Sequence, residues 1–148
     1  MTKMVCSQIE HGSSSYEAAF ALREEVLRKP LGISLNDETL EQERDYFHLV
    51  CHMNAELVGC LVLLPIQAHD IRMRQVAVSP HLQRQGIGKA LVEFAEQFAR
   101  KRGFTLMTLN ARYTAIPFYE KLDYTRIGEP FEQVTILHWE MQKSLSVG

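Results

Sequence analysis

Residues 71–103, IRMRQVAVSPHLQRQGIGKALVEFAEQFARKRG, constrain the fold more than any other segment of this chain. The first nine read as a strand with a buried C-terminal half, and Pro80 cannot continue a sheet ladder. A short loop then reaches Gly86-Ile87-Gly88, and an amphipathic helix is expected from Gly86 to Arg102. Leu91, Val92, Phe94, Ala95, Phe98 and Ala99 form one apolar stripe along it. Arg100, Lys101 and Arg102 suit the negative end of the helix dipole, and Gly103 supplies a stop. A strand that runs through a glycine loop into such a helix demands a sheet for the apolar stripe to cover.

The remaining elements follow the same logic. Residues 3–9 read as a strand. SSSYEAAFALREEVLRKP reads as a helix, with Ser14 and Glu17 spaced as a capping box and Pro30 after its end. Residues 36–45 are polar and acidic, a short helix or loop. YFHLVCHM and ELVGCLVLLPI form a hairpin around Asn54-Ala55. FTLMTLNA is a strand, TAIPFYEKLD a short helix with Pro117 in its first turn, and YTRIGEPF and TILHWEMQK close the chain as strands. The order is strand, helix, three strands, helix, strand, helix, two strands, which implies α/β or α+β layering around one sheet.

One domain suits 148 residues. A content of 46% hydrophobic and 23% charged residues is the profile of a globular protein with a full core. A net charge of −2 speaks against a nucleic-acid partner, which calls for a basic surface. No apolar run is long enough to cross a bilayer, and the N-terminus has no apolar leader, so a cytoplasmic protein without a membrane partner is expected. Cys6, Cys51 and Cys60 are three, without CxxC spacing, and read as reduced thiols. The six histidines show no metal-ligand spacing beyond His48 and His52 on an expected strand, so no metal is expected.

The glycine loop carries the chemistry. A helix N-terminus exposes unpaired N–H groups at the positive end of a dipole, and glycines let a ligand come close. The combination suits an anion, most often phosphate. Arg84 adds charge there, and Lys89 is either a second cation or a solvated helix residue. A Walker A loop fails twice, because Gln83 and Ala90 stand where it needs Gly and Ser or Thr. A dinucleotide fingerprint fails at Leu91, where it needs a third glycine. A helix entry without a ligand stays open on the loop alone.

Gln83-Arg84-Gln85-Gly86-Ile87-Gly88 resembles the Gln/Arg-x-x-Gly-x-Gly/Ala loop of the GNAT family of N-acetyltransferases. The likeness extends through VAVSPHLQRQGIGKALVEFA and LNARYTAIPFYEKLDYTRIGEPF. FALREEVLRKPLG and HWEMQK further resemble its ElaA-like branch. The resemblance implies a GNAT fold of class α/β (α+β), a mixed central sheet of about six to seven strands flanked by about four helices, in a single domain over 1–148. It implies acetyl transfer from acetyl-CoA to a primary amine, of a small molecule, by direct attack in a ternary complex. The cosubstrate is acetyl-CoA, and the resemblance allows a homodimer.

Residue by residue, the resemblance implies that the backbone of Arg84, Gln85, Gly86, Ile87, Gly88 and Lys89, led by Gln83, holds the diphosphate of acetyl-CoA. Val76, Ala77 and Val78 would pair with the pantetheine arm and orient the acetyl carbonyl. Asn110 would lie beside the pantetheine, although an Asn in a turn after a strand is also ordinary. Phe118 and Tyr119 match the aromatic-Tyr pair of the family, with Tyr119 the catalytic residue that protonates the departing thiolate. Without the surrounding motif, Tyr119 reads as a half-buried packing residue.

The general base is open, because the strand before the loop, Ile71-Arg72-Met73-Arg74-Gln75, lacks the glutamate some members carry. His138 and His48 are candidates that serve equally as structural histidines. Asp123 stands where the family has glycine, and little functional effect is expected because Asp tolerates the left-handed region. The missing carboxylate leaves a non-enzymatic CoA-binding module as one alternative, and a protein lysine or N-terminal acetyltransferase as another. The acceptor is expected to be chosen by residues 28–47 and by the loops near 66–70 and 128–136.

Overall fold

A computed structural model of the chain describes residues 4–28, 43–82, 85–133 and 135–146. Seven strands make one mixed sheet: β1 (Met4–Ile9), β2 (Phe47–Met53), β3 (Glu56–Pro65), β4 (Asp70–Val78), β5 (Leu106–Arg112), β6 (Thr125–Gln133) and β7 (Ile136–Ser144). Their spatial order is β1-β2-β3-β4-β5-β7-β6. Three α-helices are present among the described residues, α1 (Ser14–Arg23), α2 (Ile87–Lys101) and α3 (Ile116–Lys121), one fewer than expected. The expected helix stop at Pro30 and most of the polar stretch 36–45 lie outside the described residues; Glu43–Asp45 form a 3-10 turn.

Two compact units divide the chain: residues 1–64 with 75–95, and residues 65–74 with 96–148. In the first unit β1, β2 and β3 are antiparallel neighbours. Asn54 (φ 51°) and Ala55 (φ 72°) are both left-handed. The two-residue turn that matches strand twist requires this, and Met53 pairs with Glu56 across it. Helix α1 begins one residue earlier than its serines suggested. Ser13, not Ser14, is the N-cap, and its hydroxyl accepts from the Tyr16 N–H at 3.1 Å. Past Arg23 the helix widens into a π turn, Glu24–Arg28. Ala19 and Leu22 of α1 bury against Val50, Cys60 and Ala77, with Ile9, Val26, Leu27 and Leu57 around them.

In the second unit Asp70, Ile71 and Arg72 pair in parallel with Leu106, Met107 and Thr108. Strand β7 lies antiparallel between β5 and β6. The ladder of β6 shifts register between Ile127 and Phe131, around Gly128 (φ 69°). Helix α2 ends where expected: Gly103 (φ 87°) donates to Arg100 O at 3.0 Å and Phe104 to Ala99 O at 3.1 Å. Helix α3 ends in the same pattern, with Asp123 (φ 73°) in the glycine position. Asp123 N–H reaches Glu120 O at 3.0 Å and Tyr124 N–H reaches Tyr119 O at 3.1 Å.

Candidate functional site

Strand β3 holds both ends of the glycine loop. Where β4 finishes, Ser79 N–H donates to Val58 O at 2.8 Å, and Leu82 N–H returns to Ser79 O at 3.0 Å in a 3-10 turn, Pro80–Leu82. At the far end, α2 rests on Gly59. A Cβ at Gly59 would stand 3.2 Å from Ile87 Cγ2, 3.4 Å from Leu91 Cδ2 and 3.5 Å from Ala77 O. The missing side chain is therefore what lets the first turn of α2 and the end of β4 approach β3 so closely. Ala77 and Ile87 are buried, Val76 and Val78 half-buried. By pattern Gly59 reads as one more strand residue; a glycine inside an apolar strand is the signal that marks such an approach.

The loop opens the helix in the manner an anion site needs. Gly86 has φ 81°, and among the described residues beyond its chain neighbours nothing lies within 4 Å of where its Cβ would be. That left-handed conformation is one that side chains resist. Ala90 N–H makes the 3.0 Å bond to Gly86 O. The N–H groups of Ile87, Gly88 and Lys89 therefore precede the first helical bond and have no partner within the helix. Gln85, Gly86 and Lys89 are exposed. Gln83 and Arg84 lie outside the described residues. In β4, Gln75 adopts φ 58°. A left-handed residue inside a strand re-aims the residues after it. Nothing in its residue type announced this.

Tyr119 sits in the second unit at the third-last position of α3, a helix that touches β5. It is 7% exposed, with its ring edge-on to Phe118 at 5.0 Å and to Tyr124 at 5.7 Å. The Tyr124 contact is the apolar one that accompanies this helix stop. Burial pushes the Tyr119 phenol well above the usual tyrosine range, so it is protonated throughout neutral pH. Phe118 is exposed, as is Asn110, which faces Glu140 across the β5–β7 ladder.

Behind this pair lies a buried network. Tyr124 Oη donates to Glu96 Oε2 at 2.9 Å, and Lys143 Nζ reaches the same carboxylate at 3.0 and 3.2 Å. Glu96 is 3% exposed, on α2. Its position was readable, since it is four residues after Val92 and three before Ala99 on the apolar stripe. Its partners were not. Burial, reinforced by the Glu96 carboxylate, raises the Tyr124 phenol far above its usual value.

The two histidine candidates separate. His48 is buried, and its Nε2 lies 2.8 Å from Glu43 O. His138 is buried on β7, stacked on Phe131 at 5.7 Å, with Nδ1 2.8 Å from the carbonyl of Ile136. A carbonyl only accepts, so each of those nitrogens carries a proton. Among the described residues no group of three His, Cys, Asp or Glu side chains could hold a metal ion, and no helix is long and apolar enough to cross a membrane.

Comparison with known proteins places these features. The family model for the acetyltransferase (GNAT) domain matches residues 16–145. The chain is 31% identical over 117 residues to N-acetyltransferase family 8 member 3 of Rattus norvegicus, a match that covers 70% of this chain and 51% of the relative, so the chain spans about half that protein's length. Its fold is that of Escherichia coli ElaA (TM-score 0.81, 19% identity, 95% of this chain and 99% of that one). It is equally that of an aminoglycoside 6'-N-acetyltransferase complexed with coenzyme A (TM-score 0.80, 17% identity, 97% and 98%). With the glycine loop at the mouth of α2 and a family match over nearly its whole length, this chain belongs to the GNAT acetyltransferase family.

Proposed function

We propose that the protein moves an acetyl group from acetyl-CoA to the primary amine of a small molecule by direct attack in a ternary complex. The observation that carries this reading is the first turn of α2, where three N–H groups without a partner in the helix follow a left-handed glycine. The backbone from Gln83 to Lys89 is assigned to the diphosphate. Val76, Ala77 and Val78 are assigned to the pantetheine arm, and Asn110 and Phe118 to contacts beside it. The amine nitrogen attacks the thioester carbonyl, the C–S bond breaks, and the sulfur leaves as a thiolate. Tyr119 is suited to protonate it, because a phenol kept neutral by burial has a proton to give and cannot act as the base. For the amine's own proton, His138 and His48 are the two candidates, each with one ring nitrogen outside its carbonyl hydrogen bond.

Thermal melting with and without coenzyme A tests the loop. At a hundredfold excess over Kd the ligand adds about 2.7 kcal/mol, or about 5–10 °C in Tm. Gly86→Trp and Gly88→Trp abolish the shift; a shift retained in both removes the loop from the account. Tyr119→Phe is expected to lower kcat about a hundredfold while leaving the coenzyme A shift in place. Unchanged turnover reduces Tyr119 to packing. A panel of small amines and peptides with mass detection of acetylated products identifies the acceptor, and a protein that binds coenzyme A but acetylates none of them is a binding module.

A further inference from the structure

Cys6 and Cys51 face each other. The β1–β2 ladder runs from Met4↔Met53 to Ile9↔His48, and Cys6↔Cys51 is its third pair. Directly opposed residues of an antiparallel ladder point their side chains to the same face, with Cα atoms about 4.5–5.5 Å apart. A disulfide spans Cα separations of about 4.4–6.8 Å, so this register brings the two cysteines within the range a bridge requires. The two thiols are close enough for each to shift the other's ionisation, and Cys51 Sγ also points to the His52 carbonyl at 3.9 Å. Cys6 is half-buried and within reach of a small oxidant, whereas Cys51 is fully buried behind it. Cys60 has a different neighbour, the carbonyl of Ala19 at 3.7 Å, and serves as an internal control.

We propose that Cys6 and Cys51 form a modification site, at which a peroxide closes a reversible disulfide stapling the edge strand β1 to β2. The Cys6 thiolate attacks one peroxide oxygen, the O–O bond breaks, and water departs after protonation, leaving a sulfenic acid on Cys6. The Cys51 sulfur then attacks the Cys6 sulfur, the S–O bond breaks, and a second water leaves with the Cys51 proton. Two thiols lose two protons and two electrons, and one hydrogen peroxide becomes two waters. Burial holds both thiols above their usual values, Cys51 up to about 12, so the reaction is slow at neutral pH and faster in mild alkali. Among the described residues β1 is at the end of the sheet order, and its ladder has a single neighbouring strand. The staple closes a long loop, from residue 6 to residue 51, which restricts the unfolded chain.

The test uses the whole chain under native conditions, treated with excess hydrogen peroxide, quenched, and then denatured and alkylated together for thiol counting. The expected count falls from three free thiols to one, with a mass loss of about two hydrogens, a higher Tm, and full reversal by dithiothreitol. Cys60→Ser is expected to go from two thiols to none, while Cys6→Ser and Cys51→Ser each keep two and show no rise in Tm. Three thiols remaining, a gain of oxygen on Cys6 without a bond, a dimer linked through Cys6, or a bond that survives in Cys6→Ser each overturns the proposal.

Discussion

Asp123 shows how one residue position is readable in advance and still holds something back. The segment FYEKLD needs a left-handed residue where the helix stops, and Asp123 takes that conformation at φ 73°. It does so without the freedom of glycine. Both backbone bonds of the stop form around it. Asp123→Gly is therefore expected to stabilise the protein by about 1 kcal/mol, about 2–4 °C in Tm by calorimetry, with kcat unchanged. A Tm that falls instead shows that the carboxylate itself supports the helix end. Ser13 is the opposite case. Three serines in a row are equal candidates for a cap, and only the extended backbone of Ser13 (φ −75°, ψ 169°) aims its hydroxyl at the Tyr16 N–H.

At the scale of elements, amphipathic helix α2 and the hairpin β2–β3 follow directly from periodicity and turn chemistry. The end of α1 does not. Arg23, in its last turn, is 2% exposed and forks onto Glu43 through bonds of 2.8 and 2.7 Å. Its Nε is buried without a hydrogen-bond partner among the described residues. Burial works against the Arg23 charge, but the Glu43 carboxylate outweighs it and keeps the guanidinium ionised. Arg23→Met leaves Glu43 buried and unpaired, and is expected to cost about 3–5 kcal/mol in urea unfolding. Arg23→Met with Glu43→Met is expected to cost less than the single change. Additive losses would show that the two side chains are not coupled. Two charged residues so far apart in the chain gave no hint that they meet.

For the whole molecule, acid is the condition that bears most directly on buried titrating groups, and His48 is one of them. Burial pushes its imidazole below the usual value of 6.5, and this exceeds the opposing pull of the Glu43 carbonyl. The unfolded chain then binds a proton more readily than the folded one, so stability rises with pH across that window. The contribution is intact above pH 6.5 and is lost as pH falls through the lower, folded value. Unfolding free energy is expected to drop between about pH 7 and about pH 5, and to drop less in His48→Gln. Equal slopes in the two proteins would show that other groups set the acid limit. Most of the architecture was legible: seven strands, the helix at the loop and the family motifs all fall where the residues place them. Strand ends and the cap of α1 did not, since they depend on backbone geometry that several neighbouring residues satisfy equally well.

The amino-acid order alone determined which segments are strands and helices, where the glycine loop opens α2, and which family the chain resembles. Those features rest on backbone sterics and on periodicities that operate within a short stretch of chain. Only the tertiary structure decided that Gly59 admits Ile87, that Glu96 meets Tyr124 and Lys143, that Arg23 meets Glu43, and that Cys6 faces Cys51. These contacts join residues 20 or more positions apart. Once buried, their polar groups depend on one another for partners, and no local pattern encodes which ones meet.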